Sequence, residues 1–173
     1  MEMQPLVNRV AESGLITLDL ESLFPKEGSI NFDLKNYLFK EIILKENDFR
    51  EELKNLDWEK YRDKIVAIYC SADAIVPMWA YMLVAVYLQP LARAFYFCNP
   101  EELDEKIILD EISKLDLNIF DNQRIIIKGC SNRQLSPAAY VAITRRLGAV
   151  ARSLMYGEAC SNVPLFKRKH NTQ

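Results

Sequence analysis

Three of the four cysteines, Cys70, Cys130 and Cys160, are each followed directly by serine. Thiolates gathered from separate loops are ligands for zinc or for an iron–sulfur cluster, and a three-cysteine set needs one further ligand. Asp73 and Glu158 are the carboxylates nearest to them in sequence. There is no Cys-x-x-Cys pair, and the single histidine, His170, lies at the end of the chain. Any metal site must therefore collect one cysteine per loop. A second chemistry is nucleophilic. A thiol before a helix N-terminus has its pKa lowered and finds N–H groups that suit a small anionic substrate. Ser71, Ser131 and Asn132 belong to the same turns and are also natural helix caps. No cysteine–histidine couple can be drawn without His170, and six residues after Cys70, Cys98 and Cys130 stand Val76, Asp104 and Ser136 rather than the arginine of a thiol phosphatase loop. The glycine-rich nucleotide fingerprints are absent. The third reading is the plainest: cysteines at strand ends are often inert small hydrophobes, in which case the chain is a protein-interaction module.

The elements that would position these thiols repeat. Residues 64–97 and 124–156 each read as strand, Cys-Ser, proline at a helix start, then Ala-Arg before another strand, and sixty positions separate Cys70 from Cys130, Ser71 from Ser131 and Pro77 from Pro137. The short apolar runs Ile65–Tyr69, Ala94–Phe97, Arg124–Lys128 and Ser153–Tyr156 predict strands. Helices are predicted over 75–91, from Pro100 to about Leu115, and from Pro137 to about Val150. Strands alternating with helices imply right-handed βαβ units and a parallel sheet. Ligands bind such sheets outside the carboxyl ends of the strands. A 2-1-3-4 strand order would make the strands ending at Tyr69 and Gly129 neighbours about 4.8 Å apart, so that Cys70 and Cys130 face one crevice with Cys160 on the same edge. Trp79 and Tyr81, near a helix start, would line a pocket or a subunit interface. Mid-helix Leu83 and Ile143 should face the sheet.

Leu15–Leu20 and Ile30–Leu34 alternate apolar and polar residues around the turn Pro25-Lys26-Glu27-Gly28, which predicts a hairpin at a sheet edge. The segment from Lys35 to Asp57 reads as helical, split near Asn47 or Asp48. The expected fold class is thus α/β: a three-layer, mainly parallel sheet built from two repeated βαβ units, with N-terminal strands at an edge. One domain would span residues 1–165, followed by a basic tail over 166–173. A net charge of −2 offers nothing to nucleic acid. The apolar stretch from Ala74 to Leu88 contains Pro77 and falls short of the ~20 residues a membrane span needs. With no signal-peptide pattern at the N-terminus, a cytoplasmic location is expected, where thiols stay reduced.

The segments VNRVAESGLITLDLE, YCSADAIVPMWAYM and MYGEACSNVPLFKR, with the stretch between the first two, resemble domain-of-unknown-function family 2480, a group of small bacterial proteins. The resemblance covers nearly the whole chain. It implies no reaction of its own. It does imply iron–sulfur assembly proteins as partners, and so an accessory protein binding a metal or cluster through Cys70, Cys130 and Cys160, which fall in matching blocks; the segment around Cys98 does not match. A homodimer is the other partner to be expected.

Overall fold

The computed structural model describes residues 14–128 and 133–168. Among these residues seven strands and four α-helices follow in chain order: β1 (Leu15–Leu18), β2 (Ser29–Asp33), α1 (Glu46–Asn55), β3 (Ile65–Tyr69), α2 (Met78–Leu88), β4 (Ala94–Phe97), α3 (Leu103–Lys114), β5 (Arg124–Ile127), α4 (Pro137–Gly148), β6 (Ser153–Glu158) and β7 (Ser161–Lys167). The chain divides into two compact units. Unit 2 is the contiguous stretch Pro25–Lys106; unit 1 is formed by the residues up to Phe24 together with those from Ile107 onward. The protein is mixed α/β with two mostly parallel sheets.

In unit 2 the strand order is β2-β3-β4, all parallel. In unit 1 it is β1-β5-β6-β7, parallel except for the antiparallel β6–β7 hairpin. This corrects two expectations. The N-terminal runs do not form a hairpin; β1 and β2 enter different sheets, each parallel to its neighbour. Likewise β3 and β5 are not neighbours in one sheet, so the 2-1-3-4 order does not occur. The physical reason is edge occupancy. A strand has two hydrogen-bonding edges. Those of β3 are taken by β2 and β4, and those of β5 by β1 and β6.

The two units carry matching element strings. In each, a first strand runs into a short 3₁₀ turn (Leu20–Leu23 after β1, Leu34–Tyr37 after β2), opened by an aspartate whose carboxylate accepts the N–H two residues on, at 2.9 Å in both cases. A helix, a 3₁₀ turn, the central strand, a second helix and a third strand follow. Before each central strand a residue with left-handed φ turns the chain, Asp63 at 56° and Asn122 at 53°. The helix expected over Lys35–Asp57 is shorter, because Lys40 and Glu41 both adopt positive φ and end any helical run before Glu46.

Each unit has its own core. In unit 1, Ile125, Ile127, Leu18 and Leu154 from the sheet pack with Ile108 and Ile112 of α3 and Ala139, Ile143 and Leu147 of α4. In unit 2, Val66, Ile68 and Phe32 pack with Phe49 and Leu53 of α1 and Ala80, Val84 and Leu88 of α2. An aromatic stack fills the second core: Phe32 lies 5.3 Å from Tyr37 and 5.7 Å from Trp58, and Trp58 lies 4.8 Å from Tyr87. Burial among these rings pushes the Tyr61 phenol up to about 12. The counterpart of Ile143 is Val84, not Leu83, which is only partly buried. The helix phase expected for that side chain was one residue off. The C-terminal stretch taken for a tail continues β7 to Lys167; Phe166 packs on the unit 1 core, and the Arg168 guanidinium donates to the carbonyls of Gly148 and Ala149 at the end of α4.

Two stability outcomes follow. Ile143→Ala should cost about 2–5 kcal/mol by urea unfolding, the range for a fully buried large-to-small change, and Leu83→Ala distinctly less. Gly157 has φ +124°, and a Cβ there would stand 2.6 Å from the carbonyl oxygen of Ser161, the first residue of β7. Gly157→Ala should therefore lose more than ~1 kcal/mol; an unchanged unfolding midpoint would contradict this backbone.

Candidate functional site

The carboxyl end of the parallel sheet in unit 2 gathers Asp33, Cys70, Ser71 and Tyr81. Asp33 ends β2, in register with Tyr69 on β3. One carboxylate oxygen of Asp33 accepts the Ser71 N–H at 3.0 Å, and the other accepts the Ser71 hydroxyl at 2.6 Å. Together with its bond from the Lys35 N–H, the side chain ties the ends of β2 and β3. Partial desolvation is the largest single influence on its pKa and raises it. The hydroxyl, the two N–H groups and the charge of Lys35 together outweigh that and hold it below the ordinary carboxylate value.

Cys70 is partly buried, and its sulfur lies 3.7 Å from the Ala72 carbonyl oxygen, a weak contact. Seven residues lie between it and Met78, the first residue of α2, whose N-cap position is taken by Pro77. Tyr81 stands near both acidic groups. Desolvation raises its phenol pKa first, and the negative charges of Cys70 and Asp33 raise it further.

The other predicted site residues are distributed as follows. Ser71 holds Asp33 rather than capping a helix. Asp73 is exposed in the loop after β3. Trp79 packs away from this edge, 6.0 Å from Phe49 and under the Arg50 guanidinium. Cys98 is buried at the end of β4, its thiol pushed up by burial and then by the charge of Glu102. Cys130, Ser131 and Asn132 lie outside the described residues, as does His170. Glu158 ends β6 in unit 1, and Cys160 sits exposed in the two-residue turn between β6 and β7. Cys70 and Cys160 thus belong to different units. Among the described residues no group of three or more His, Cys, Asp or Glu side chains could hold a metal ion.

The equivalent edge of unit 1 uses Asp19 in the place of Asp33. There the carboxylate accepts from Lys128 Nζ at 2.8 Å. That hydrogen bond is the main reason the Asp19 pKa is lowered and the Lys128 pKa raised.

The reading from residue types passed over what the fold makes most conspicuous, the outer face of α2. That helix holds no charged residue in its eleven positions, MWAYMLVAVYL. Its sheet side buries Ala80, Val84 and Leu88. The side toward α1 meets Phe49 and Trp58 through Trp79 and Tyr87. On the remaining side Met78, Met82 and Val86 are 72%, 67% and 67% exposed, and Phe97 at the end of β4, in edge-to-face contact with Tyr81 at 5.2 Å, is 70% exposed. A helix apolar all round is normally covered all round. The signal was present in the sequence as an uncharged helix, but it could not be separated there from an ordinary core helix.

The fold and this edge define a two-unit α/β protein with mainly parallel sheets and, among the described residues, an uncovered apolar helix face on α2. The family described as Protein of unknown function (DUF2480) matches residues 4–168, and the chain belongs to it. No curated protein and no solved structure matches the chain. Among the described residues no helix is long and apolar enough to cross a membrane.

Two measurements check the geometry of this edge. Asp33→Ala should cost about 1–3 kcal/mol through loss of the 3₁₀ cap and the bonds to Ser71. Because the folded pKa is depressed, the ionised carboxylate contributes its stabilisation above the unfolded value of about 3.9 and loses it as pH falls through the lower folded value. The stability gap between the native protein and Asp33→Asn should therefore narrow only below about pH 4; a gap that closes near neutrality would contradict the assignment. In a Cys130→Ser background, a thiol reagent should modify exposed Cys160 first, Cys70 more slowly, and buried Cys98 only on unfolding.

Proposed function

We propose that this chain is a non-catalytic protein-interaction module whose working surface is the outer face of α2 with Phe97 beside it. One observation carries the reading: an uncharged helix leaves Met78, Met82 and Val86 about two-thirds or more exposed. Contiguous exposed apolar side chains of this size are characteristic of surfaces that a protein partner covers, and methionine adapts its shape to such partners. The thiols play a structural part in this reading. Cys98 is buried with a raised pKa, and Cys70 is partly buried at the end of β3. The described residues give the zinc or iron–sulfur reading no observation of its own.

A photo-crosslinking residue placed at Met82 in cells should form covalent adducts with protein, whereas the same residue at exposed Glu51 of α1 should not. Absence of adducts at Met82 would overturn the proposal. Stoichiometric zinc or iron that is lost on Cys70→Ser would restore the metal reading in its place.

A further inference from the structure

Resting on the reading of α2 as an interaction surface, we infer that its partner is a second copy of this chain. The two copies join edge to edge through antiparallel pairing of β4 with β4 about a two-fold axis at Tyr96, which brings the two α2 helices side by side.

The first argument is the state of the β4 edge. Among the described residues no strand pairs with β4 on the side away from β3. Its sequence, Ala94-Phe-Tyr-Phe97, holds no charge, glycine or proline. Natural sheets blunt their open edges with charges or prolines, because an unprotected apolar edge recruits further strands. The other edge of the same sheet, β2, carries Asn31 and Asp33. In unit 1 the strand equivalent to β4 is β6, and its outer edge is covered by antiparallel β7. Val163 and Leu165 of β7, with Val141 of α4 and Tyr156 of β6, complete an apolar groove there. Among the described residues, unit 2 has the same strand and helix without a covering strand. The aromatic pair Tyr140–Tyr156 in unit 1, at 5.6 Å, has its counterpart in Tyr81–Phe97.

The second argument is register. The Cys98 N–H donates to Ile68 O on β3. Backbone groups alternate along a strand, so Ala94 and Tyr96 also point to β3, while Phe95 and Phe97 present their N–H and C=O groups to the open edge. Phe95 packs on the same core as Val66 and Ile68, which places Phe95 and Phe97 on the α2 face of the sheet. An antiparallel partner must match outward-pointing residues with one another and helix-face residues with one another. A two-fold axis at Tyr96 meets both conditions. Phe95 of each copy then exchanges two hydrogen bonds with Phe97 of the other, and the two Tyr96 residues face each other.

The third argument is spacing. With strands about 4.8 Å apart and α2 lying over β3 and β4, the two α2 axes would run about 10 Å apart, at the upper end of ordinary helix packing distances. The α2 side turned toward the axis bears Met78, Tyr81, Met82 and Ala85, without charge, so nothing on it repels a copy of itself. Burying the five large side chains Met78, Tyr81, Met82, Val86 and Phe97, at roughly 100–150 Å² each, gives about 500–750 Å² per copy, close to the ~800 Å² per partner of a standard stable interface, with the β4 backbone edge buried in addition. The two-fold closes the assembly and leaves no open β4 edge.

Sedimentation of the full-length chain should give a dimer of two 20.0 kDa copies. Phe97→Lys and Met82→Glu, both at exposed positions, should each weaken dimerisation at least ~100-fold while leaving the far-ultraviolet circular dichroism unchanged. Val163→Glu, on the exposed face of β7, should not. In a Cys160→Ser background, Tyr96→Cys should oxidise to a symmetric inter-chain disulfide, since facing residues of a non-hydrogen-bonded pair have Cα atoms about 4.5 Å apart. A monomer at ~100 μM, or a dimer that survives both Phe97→Lys and Met82→Glu, overturns the inference. A monomer whose Met82 photo-adducts contain other proteins overturns the second copy as partner but keeps the interaction module. A monomer with no adducts at Met82 removes both.

Discussion

Burial of the two central strands on both faces is the constraint from which the rest of the structure follows. Ile65, Val66, Ala67 and Ile68 of β3 and Ile125, Ile126 and Ile127 of β5 are all withdrawn from water. A strand in that position can expose neither its side chains nor its backbone, so both of its edges must be paired. The paired neighbours β2 and β4, and β1 and β6, are parallel to it. Each β–helix–β connection must then cross over a face, which puts α2 and α4 where Val84 and Ile143 meet the sheet. The carboxyl ends of all three parallel strands in each unit come out on one edge, and the loop that carries Cys70 lies there because of it.

The aspartates that open the 3₁₀ turns show how one local device serves two environments. Asp19 and Asp33 both accept the N–H two residues ahead, which ends the strand in the same way in each unit. What reaches across from the central strand differs. Lys128 neutralises Asp19, whereas Ser71 offers Asp33 a hydroxyl and an N–H without a balancing charge. At the edge of unit 2, burial raises the phenol pKa values of Tyr69 and Tyr81 first, and the charge of Asp33 adds to it.

The helices α2 and α4 occupy the same place in their units but have different outer faces. The last turn of α4 carries Arg145 and Arg146, and Arg146 spends its guanidinium on the carbonyls of Ser113 and Leu115 at the end of α3. In α2 the corresponding positions are Val86 and Tyr87, and the helix carries no charged group. Hydrophobic burial is proportional to area and indifferent to direction, so a surface like this gains by being covered. Among the described residues the outer edge of β4 beside it is unpaired as well, so backbone groups capable of directional hydrogen bonds lie next to the apolar face.

Much of the architecture was legible in the residues. The runs IVAIY and RIII could only be doubly buried strands, and the prolines and the Ala-Arg pairs marked the limits of the helices that follow. Local patterning carries such information because it reports which sides of a segment avoid water. The family was legible too, in the blocks around Cys70 and Cys160. Strand order was not. The alternating runs at Leu15 and Ile30 read as each other's partners because they are close in sequence, and only the folded chain sends each to its own central strand. The thiols were singled out by their chemistry, but their placement depends on which sheet each strand joins. Cys70 and Cys160 went to different units once β3 and β5 had filled both of their edges. The outer face of α2 makes the same point from the other direction. Its eleven residues determine that the helix is apolar, and tertiary packing decides which side of it stays uncovered, because α1 and the sheet occupy only two of its flanks.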